Sequence, residues 1–330
     1  MHAQRPSLDP AVAEVRLAVR RALTGLDAPV IVVALSGGPD SLALAAATAF
    51  EARKAGTRAV AVTVDHALQD GSADAAQSAA EAARGLGLEA VVVRAEVGTA
   101  GGPEASARDA RYRALADAAR QVGTDTVLLG HTLDDQAETV LLGLARGSGV
   151  SSLSGMAPVR VDDAGRWVRP LLGVRRATTV AACAAEGLAP WLDPHNHDPR
   201  FTRVRVRERV LPVLEAELGP GIAEALARTA EQLREDAEAF SEMIEETIED
   251  IVEHAEAGIS VSVAALAANP AALRHRIIRH VVASEFGESL TRAQTLEVAR
   301  LVTDWSGQGA IALPGCSVSR RGGRLEFTAS

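Results

Sequence analysis

Residues 31–45 read IVVALSGGPDSLALA, and the reading of this stretch decides the fold. An apolar run ends abruptly in a hydroxyl, two glycines and an acid, then resumes with the spacing of a helix. The run is continuous rather than alternating, as in a strand covered on both faces. Glycines placed directly after such a strand let backbone N–H groups converge into an anion-binding nest, and the following helix N-terminus adds partial positive charge. Pro39 suits the first helical turn, where its missing N–H costs nothing. Ser36, Gly37, Gly38, Pro39, Asp40 and Ser41 therefore form a candidate phosphate loop. The lysine of G-x-x-x-x-G-K-[ST] is absent. Asp40 would repel phosphate unless a divalent cation, Mg²⁺ above all, lay between them. An ordinary strand–helix turn with an acid in its first turn is the competing account.

Outward from this stretch the first half repeats strand and helix. Strands are expected at 30–35, 59–64, 90–94 and 126–130, with helices at about 39–55, 72–86, 104–122 and 134–146. That order implies right-handed crossovers and an α/β fold, a doubly wound, mainly parallel sheet of Rossmann-like type. Ligands in such sheets bind beyond the carboxyl ends of the strands, where Ser36, Asp65-His66 and His131 all fall. RWVRPLLG at 166–173 reads as extended, WLDPHNHDP at 191–199 as turns, and 202–217 as a helix. LGPG at 218–221 sets the expected boundary between a domain of residues 1–217 and a smaller α+β domain of residues 218–330. In the latter a long acidic helix reaches about 257, helices follow near 270–286 and 291–304, and two short strands flank a turn at Arg321-Gly322-Gly323.

Charge is uneven. The net charge is −9, which on its face argues against a nucleic-acid partner. Residues 221–260 hold twelve acids against two arginines, whereas residues 160–209 hold ten arginines against six acids. A basic stretch beside an acidic helix permits nucleic acid without requiring it. The two cysteines, Cys183 and Cys316, have no metal-binding spacing and read as small buried thiols. No apolar run reaches the length of a membrane span, so a soluble, cytoplasmic protein is expected, with no membrane partner. Whether it pairs as a homodimer is open from sequence.

Three further stretches carry candidate chemistry. In LLGHTLDDQAETVLLGLARG (128–147), His131 follows a strand, and Asp135 and Glu138 project from one face near the start of the next helix. Capping accounts for Asp134; Glu138, ahead of an apolar run, is less easily dismissed, and a cation shared with Asp40 would neutralise the cluster. In EASARDARYRAL (104–115), Arg108, Arg111 and Tyr112, the only tyrosine, lie on neighbouring helix faces; a solvated basic face with a core tyrosine explains them equally well. In FTRVRVRERVLP (201–212), Arg203, Arg205, Arg207 and Arg209 spread around a helix, each a bidentate donor suited to phosphate.

Taken together these pieces resemble a known family. SGGPDS looks like the pyrophosphate loop of the N-type ATP pyrophosphatases, which cleave ATP between the α- and β-phosphates. Within that superfamily VDHAL (64–68), EASARDARYRAL, GHTLDDQAET (130–139), RPLL (169–172), DPHN (193–196) and RVRVR (203–207) are similar, in order, to bacterial tRNA(Ile)-lysidine synthetases. Residues 301–327 resemble the family's first C-terminal, tRNA-handling domain. The resemblance implies a ligase that adenylates the wobble cytidine of a CAU-anticodon tRNA(Ile) and then joins free L-lysine to it, releasing AMP and diphosphate. It implies ATP on Ser36–Ser41, Mg²⁺ on Asp40, Asp135 and Glu138, adenylation chemistry at His131 and Arg203, and RNA or substrate contacts at Arg108, Arg111, Tyr112, Asn196, Arg205 and Arg207. Position 69 is Gln where the family often has Arg, and Val204 replaces a frequent Asn. Other accounts are an adenylating modifier of the 2-thiocytidine type, for which the cysteines lack partner spacing, and a non-catalytic nucleotide- or RNA-binding module.

Overall fold

The computed structural model describes residues 8–65, 71–95, 103–147, 149–191, 193, 198–255 and 258–330. His66, Gln69 and Asn196 lie outside the described residues. The chain divides into two compact units, Met1–Arg234 and Glu235–Ser330.

The first unit begins with α1 (Pro10–Thr24), whose N-terminus is capped by the Asp9 carboxylate accepting from Ala11 N–H. There follow β1 (Val30–Ala34), α2 (Pro39–Ala55), β2 (Arg58–Asp65), α3 (Ser72–Gly85), β3 (Glu89–Arg94), α4 (Pro103–Gln121), β4 (Thr126–Leu128), α5 (Leu133–Ala145) and α6 (Val150–Leu153). Then come β5 (Val159–Asp162), β6 (Gly165–Val168), α7 (Arg176–Ala185), α8 (Thr202–Arg205), a π-helical segment (Val206–Val210), α9 (Leu211–Leu218) and α10 (Ile222–Ile251). The sheet order is β3-β2-β1-β4-β6-β5, parallel throughout except for β5, which pairs antiparallel with β6 in a hairpin. The continuous apolar run of β1 has the expected cause. Ile31, Val33 and Leu35 pack with Val12, Val15, Leu42 and Leu44 of α1 and α2 on one face. Val32 packs with Leu115 and Ala119 of α4 on the other. Helices thus cover both faces, and the loop after β1 is held between two cores.

Three expectations are corrected here. RWVRPLLG is extended only as far as Val168, and a helix not anticipated, α7, begins at Arg176. The 202–217 segment is not one regular helix, since its middle turn is π-helical. The compact units separate within α10 rather than at 217/218. Glu215 accepts N–H bonds from Gly221 (2.7 Å) and Ala223 (3.1 Å), so the LGPG turn is tied down. Ala223, with Ile222, Leu226 and Ala227, then joins a cluster with Leu133, Ala137, Val206 and Leu211.

The second unit contains β7 (Val252–Ala255), β8 (Gly258–Ser262), α11 (Val263–Ala268), α12 (Ala271–Phe286), α13 (Arg292–Thr303), β9 (Ile311–Leu313), β10 (Cys316–Arg321) and β11 (Arg324–Ala329). Its sheet is antiparallel, in the order β7-β8-β11-β10-β9. The acidic helix ends at Ile251, short of the expected 257, because residues 252–255 leave it to pair with β8. Arg321 pairs with Arg324 across Gly322-Gly323, a two-residue hairpin where one was anticipated. Ile277, Ile278, Val281, Leu301, Leu325 and Phe327 form its core. Among the described residues no helix is long and apolar enough to cross a membrane.

Candidate active site

The loop after β1 is closed by its own serines. Ser36 N–H donates to Ser41 Oγ (3.2 Å), the two hydroxyls lie 3.1 Å apart, and Ser41 Oγ donates to Gly38 O (3.0 Å). Gly37 adopts φ 84°, a left-handed conformation that a side chain would strain. Its carbonyl accepts from Trp191 N–H (2.9 Å). Gly38 flanks α2 with no side-chain cap, so the first-turn N–H groups of that helix are left to a ligand or solvent. The loop also needs a glycine on the neighbouring strand end. A Cβ at Gly130 would stand 3.1 Å from Ser41 Cα and N and 3.2 Å from Asp40 C, tight enough that the loop backbone would have to give by a few tenths of an ångström.

Asp40, Asp135 and Glu138 converge, and the group at their meeting point is a guanidinium. Arg176, the first residue of α7, donates from Nε to Asp40 Oδ2 (3.2 Å), from Nη2 to Asp135 Oδ1 (2.7 Å) and from Nη1 to Glu138 Oε1 (3.3 Å). Its backbone N–H donates to Asp134 Oδ2 (2.8 Å), so Asp134 caps α7 and not its own helix. The N-cap of α5 is Thr132, and Asp135 at N3 completes a capping box, its Oδ2 accepting from Thr132 N–H and Oγ1 (both 2.8 Å). Asp40 Oδ1 accepts a short bond from the Thr179 hydroxyl on the next turn of α7. Glu138 is wholly buried and grips Arg207 in a bidentate pair, Nε to Oε1 at 2.7 Å and Nη2 to Oε2 at 3.1 Å. Arg203 donates to Thr139 Oγ1 (3.0 Å), with its Nε 3.8 Å from Glu138 Oε2. Arg203 and Arg207 both reach Glu138, although alternate arginines spread around the helix; Arg207 does so from within the π-helical segment.

In this arrangement the three carboxylates do not offer the expected shared cation an open site. Mg²⁺ requires oxygens at about 2.0–2.1 Å in near-octahedral array. Here both oxygens of Asp40 and of Glu138 already accept protein donors, and a guanidinium fills the point of convergence. Among the described residues no cluster of acids, histidines and cysteines forms an open metal cage. Three carboxylates facing Arg176 and Arg207 are nearly balanced without a metal.

Electrostatics divide the group. Burial raises the Asp40 pKa, and the Thr179 hydroxyl and Arg176 offset that only in part. Burial also acts most strongly on Asp135, but Arg176, the Thr132 N–H and His131 overcome it and lower its pKa. Burial acts to lower the pKa of Arg176, yet its three carboxylates reverse the sign and fix its charge. Burial pushes His131 down to about 3, aided by Arg169, Arg111 and Arg108 and opposed by Asp135. Its imidazole is neutral at physiological pH, and Nδ1 is buried with no hydrogen-bond partner among the described residues.

Arginines that act on His131 gather around Tyr112. Tyr112 packs edge-on to Trp167 (centroids 4.6 Å apart) and is ringed by Arg108 (5.2 Å), Arg111 (5.8 Å) and Arg160 (5.6 Å). The structure matches the blander account of this helix, a tyrosine packed partly buried against the core beneath a basic face. Burial lowers the pKa of Arg111 and of Arg169. Arg205 is turned elsewhere, donating to Pro199 O (2.7 Å) and Arg200 O (2.9 Å) and closing its own turn.

Sequence reasoning missed Arg176, Thr179 and Gly130 as site residues. A signal for their helix was available, since a basic pair, Arg175-Arg176, heads a ten-residue alanine-rich stretch after a glycine-containing turn, but nothing local linked that helix to the site.

With this geometry in place, comparison with known proteins is decisive. Residues 13–214 match the PP-loop domain family, and residues 262–326 match the TilS substrate binding domain family. The chain is 60% identical over 299 residues to a tRNA(Ile)-lysidine synthase of Leifsonia xyli subsp. xyli, covering 90% of this chain and 89% of the relative. The chain belongs to the tRNA(Ile)-lysidine synthase family. A relative from Streptomyces coelicolor is 49% identical, with 96% of this chain and 97% of the relative covered. Among solved structures, the U34-tRNA thiolase NcsA from Methanococcus maripaludis superposes with a TM-score of 0.58 at 20% identity. That match covers 68% of this chain and 80% of the other, a likeness of fold alone.

Proposed function

We propose that this chain is an ATP-dependent ligase that joins L-lysine to C2 of the wobble cytidine in a tRNA(Ile) bearing the CAU anticodon. In the first step the cytidine O2 attacks the α-phosphorus of ATP, diphosphate leaves, and O2 becomes part of a good leaving group. In the second an amine of lysine attacks C2, the C2–O2 bond breaks, and AMP departs carrying that oxygen while the amine loses protons to solvent. Cytosine C2 is a poor electrophile until O2 is adenylated, which is why ATP is spent.

The observation that carries this reading is the convergence of Asp40, Asp135, Glu138 and His131 beside the glycine loop at the carboxyl ends of β1 and β4, in a chain of this family. The N–H groups of the Ser36–Ser41 loop and the α2 N-terminus bind the departing diphosphate. Neutral His131 offers a nitrogen to the nucleobase or ribose without adding charge. Arg203 and Arg207 orient Glu138, and Arg108 and Arg111 take RNA or nucleotide phosphate. Magnesium enters as the counter-ion of the ATP phosphates. A sulfur-transfer reading has little support: the chain has two cysteines, both buried, with Cys183 donating to Pro39 O and its thiol pushed up to about 11 by burial and the nearby Asp40.

The test is incubation of the purified protein with labelled lysine, ATP, Mg²⁺ and a CAU-anticodon tRNA(Ile) transcript. Label is expected in the RNA with one AMP formed per lysine joined, and a transcript with a GAU anticodon should stay unlabelled. Folded protein that leaves the CAU transcript unlabelled would reject the assignment.

A further inference from the structure

We infer that Arg176 is a positioning residue for the adenylation step, a covalently attached cation standing where a metal shared by Asp40, Asp135 and Glu138 would otherwise be required. The inference rests on the ATP-dependent function proposed above, and deepens it. One planar guanidinium uses three different nitrogens on three carboxylates drawn from two elements, the start of α2 and the first turns of α5. Arginine suits this because its donors are fixed in a fork and its charge is permanent. The residue is itself held at the other end. Its N–H is capped by Asp134, and its carbonyl lies 2.7 Å from Thr179 Oγ1, whose single proton it shares with Asp40. Helix α7 thus presents one cation and one hydroxyl to Asp40, and Cys183, two turns on from Arg176, donates to Pro39 O in the same loop (3.4 Å).

The consequence for the reaction is geometric. Without a cation between them, Asp40 and the α5 carboxylates repel, and the loop that takes diphosphate would lose its register against α5. An arginine keeps that register before any ligand arrives, whereas a metal would have to be acquired first. The metal demand of the protein should then be that of ATP alone.

The decisive measurement needs no activity. Mn²⁺ titrated into the full-length protein without nucleotide, and followed by the EPR signal of the free ion, should show no stoichiometric binding at tens of micromolar. A stoichiometric Mn²⁺ site abolished by Asp135→Asn would restore the shared metal and overturn the inference. Because it uses neither lysine nor RNA, this result stands apart from any failure of the ligase assignment. In parallel, Arg176→Ala should lower diphosphate release by about 100-fold, the scale of losing one preorganised electrostatic group. Millimolar methylguanidinium should recover part of the loss while leaving the wild type unmoved, and Arg176→Lys should retain more activity than Arg176→Ala. If Arg176→Ala is folded by circular dichroism yet gains nothing from methylguanidinium, and Arg176→Lys is no better, the guanidinium does not act as the cation. If the alanine variant fails to fold, the Mn²⁺ titration of the wild type decides alone.

Discussion

Two groups of charges act on His131 with opposite electrostatic logic. In one, Asp40, Asp135 and Glu138 are matched by Arg176 and Arg207, so the charge is nearly balanced and nearly every carboxylate oxygen has a donor. In the other, Arg108, Arg111 and Arg169 have no ion pair among the described residues, and two of the three are buried deeply enough to depress their pKa. A balanced cluster is finished before a ligand binds and serves to hold shape. An unbalanced one keeps an energetic debt that an anion removes. Under the function proposed above, this difference gives the acids a scaffolding role and the arginines substrate capture, and each substitution below bears on that division.

The largest effect is expected from the balanced side. Asp40→Asn removes one of the three charges on Arg176 and disturbs the Thr179 bond, so the loop loses its tie to α7. Diphosphate release should fall by about 10²–10³, or about 3–4 kcal/mol in the barrier, with RNA binding by filter retention unchanged. If RNA binding falls as far as catalysis, the acids are not confined to scaffolding and the comparison fails.

Gly130→Ala tests how the same loop is packed. Its new Cβ meets the backbone of Ser41 and Asp40, which cannot rotate aside as a long side chain would. A loss of about 1–3 kcal/mol in stability is expected from such overpacking, read as a lower urea midpoint of the first unit. Diphosphate release should fall with it. An alanine variant with the wild-type midpoint and rate would show that the loop is more compliant than the balanced side requires.

These two positions also show what could be read from the chain and what could not. The parallel sheet was legible because burial on both faces leaves uninterrupted apolar runs, and the strands after Pro29 and Thr57 differ from expectation by a residue or two at their ends. The nest was legible because glycines and an early proline have few other uses there. Arg176 was not. Its helix is short and alanine-rich, its first residue is capped by Asp134 forty-two positions earlier, and its partners come from two distant segments. Local pattern carries no trace of such a meeting. Gly130 was hidden for the same reason, since only the close approach of α2 makes its missing side chain necessary. The boundary expected at LGPG illustrates the converse. A glycine–proline turn reads as a linker, but Glu215 turns it into a cap whose following helix packs on the first unit.

Both groups act on His131, which gives a pH test. Its pKa is held near 3, well below the ordinary value of 6.5, chiefly by burial. Above pH 6.5 it is neutral whether folded or unfolded and contributes no pH dependence. As pH falls below 6.5 the unfolded chain takes up a proton that the folded chain refuses, so stability is lost progressively down to about pH 3. From pH 7 to pH 5 the loss is about 2 kcal/mol, at about 1.4 kcal/mol per unit. His131→Asn should flatten that part of the wild-type curve when urea midpoints are compared at the two pH values. An unchanged slope would mean that the imidazole is hydrated and that the arginines around Tyr112 do not reach it.

The smallest effect, and the one that isolates the unbalanced side, is expected from Arg111→Gln. Arg111 is half-buried beside Arg108 and Arg203, and burial lowers its pKa, so an incoming anion would stabilise its charge. Removing it relieves that repulsion, and the variant should be at least as stable as the wild type to urea. Affinity for the tRNA should nevertheless weaken by about tenfold at low salt, and the slope of log affinity against log salt should become shallower by about one unit. An arginine that merely packs against Tyr112 would give the reverse pattern: lower stability with an unaltered salt slope. The two measurements therefore pull in opposite directions under the two accounts. Only gained or equal stability together with a reduced salt slope is consistent with a side of the site left charged for its substrate.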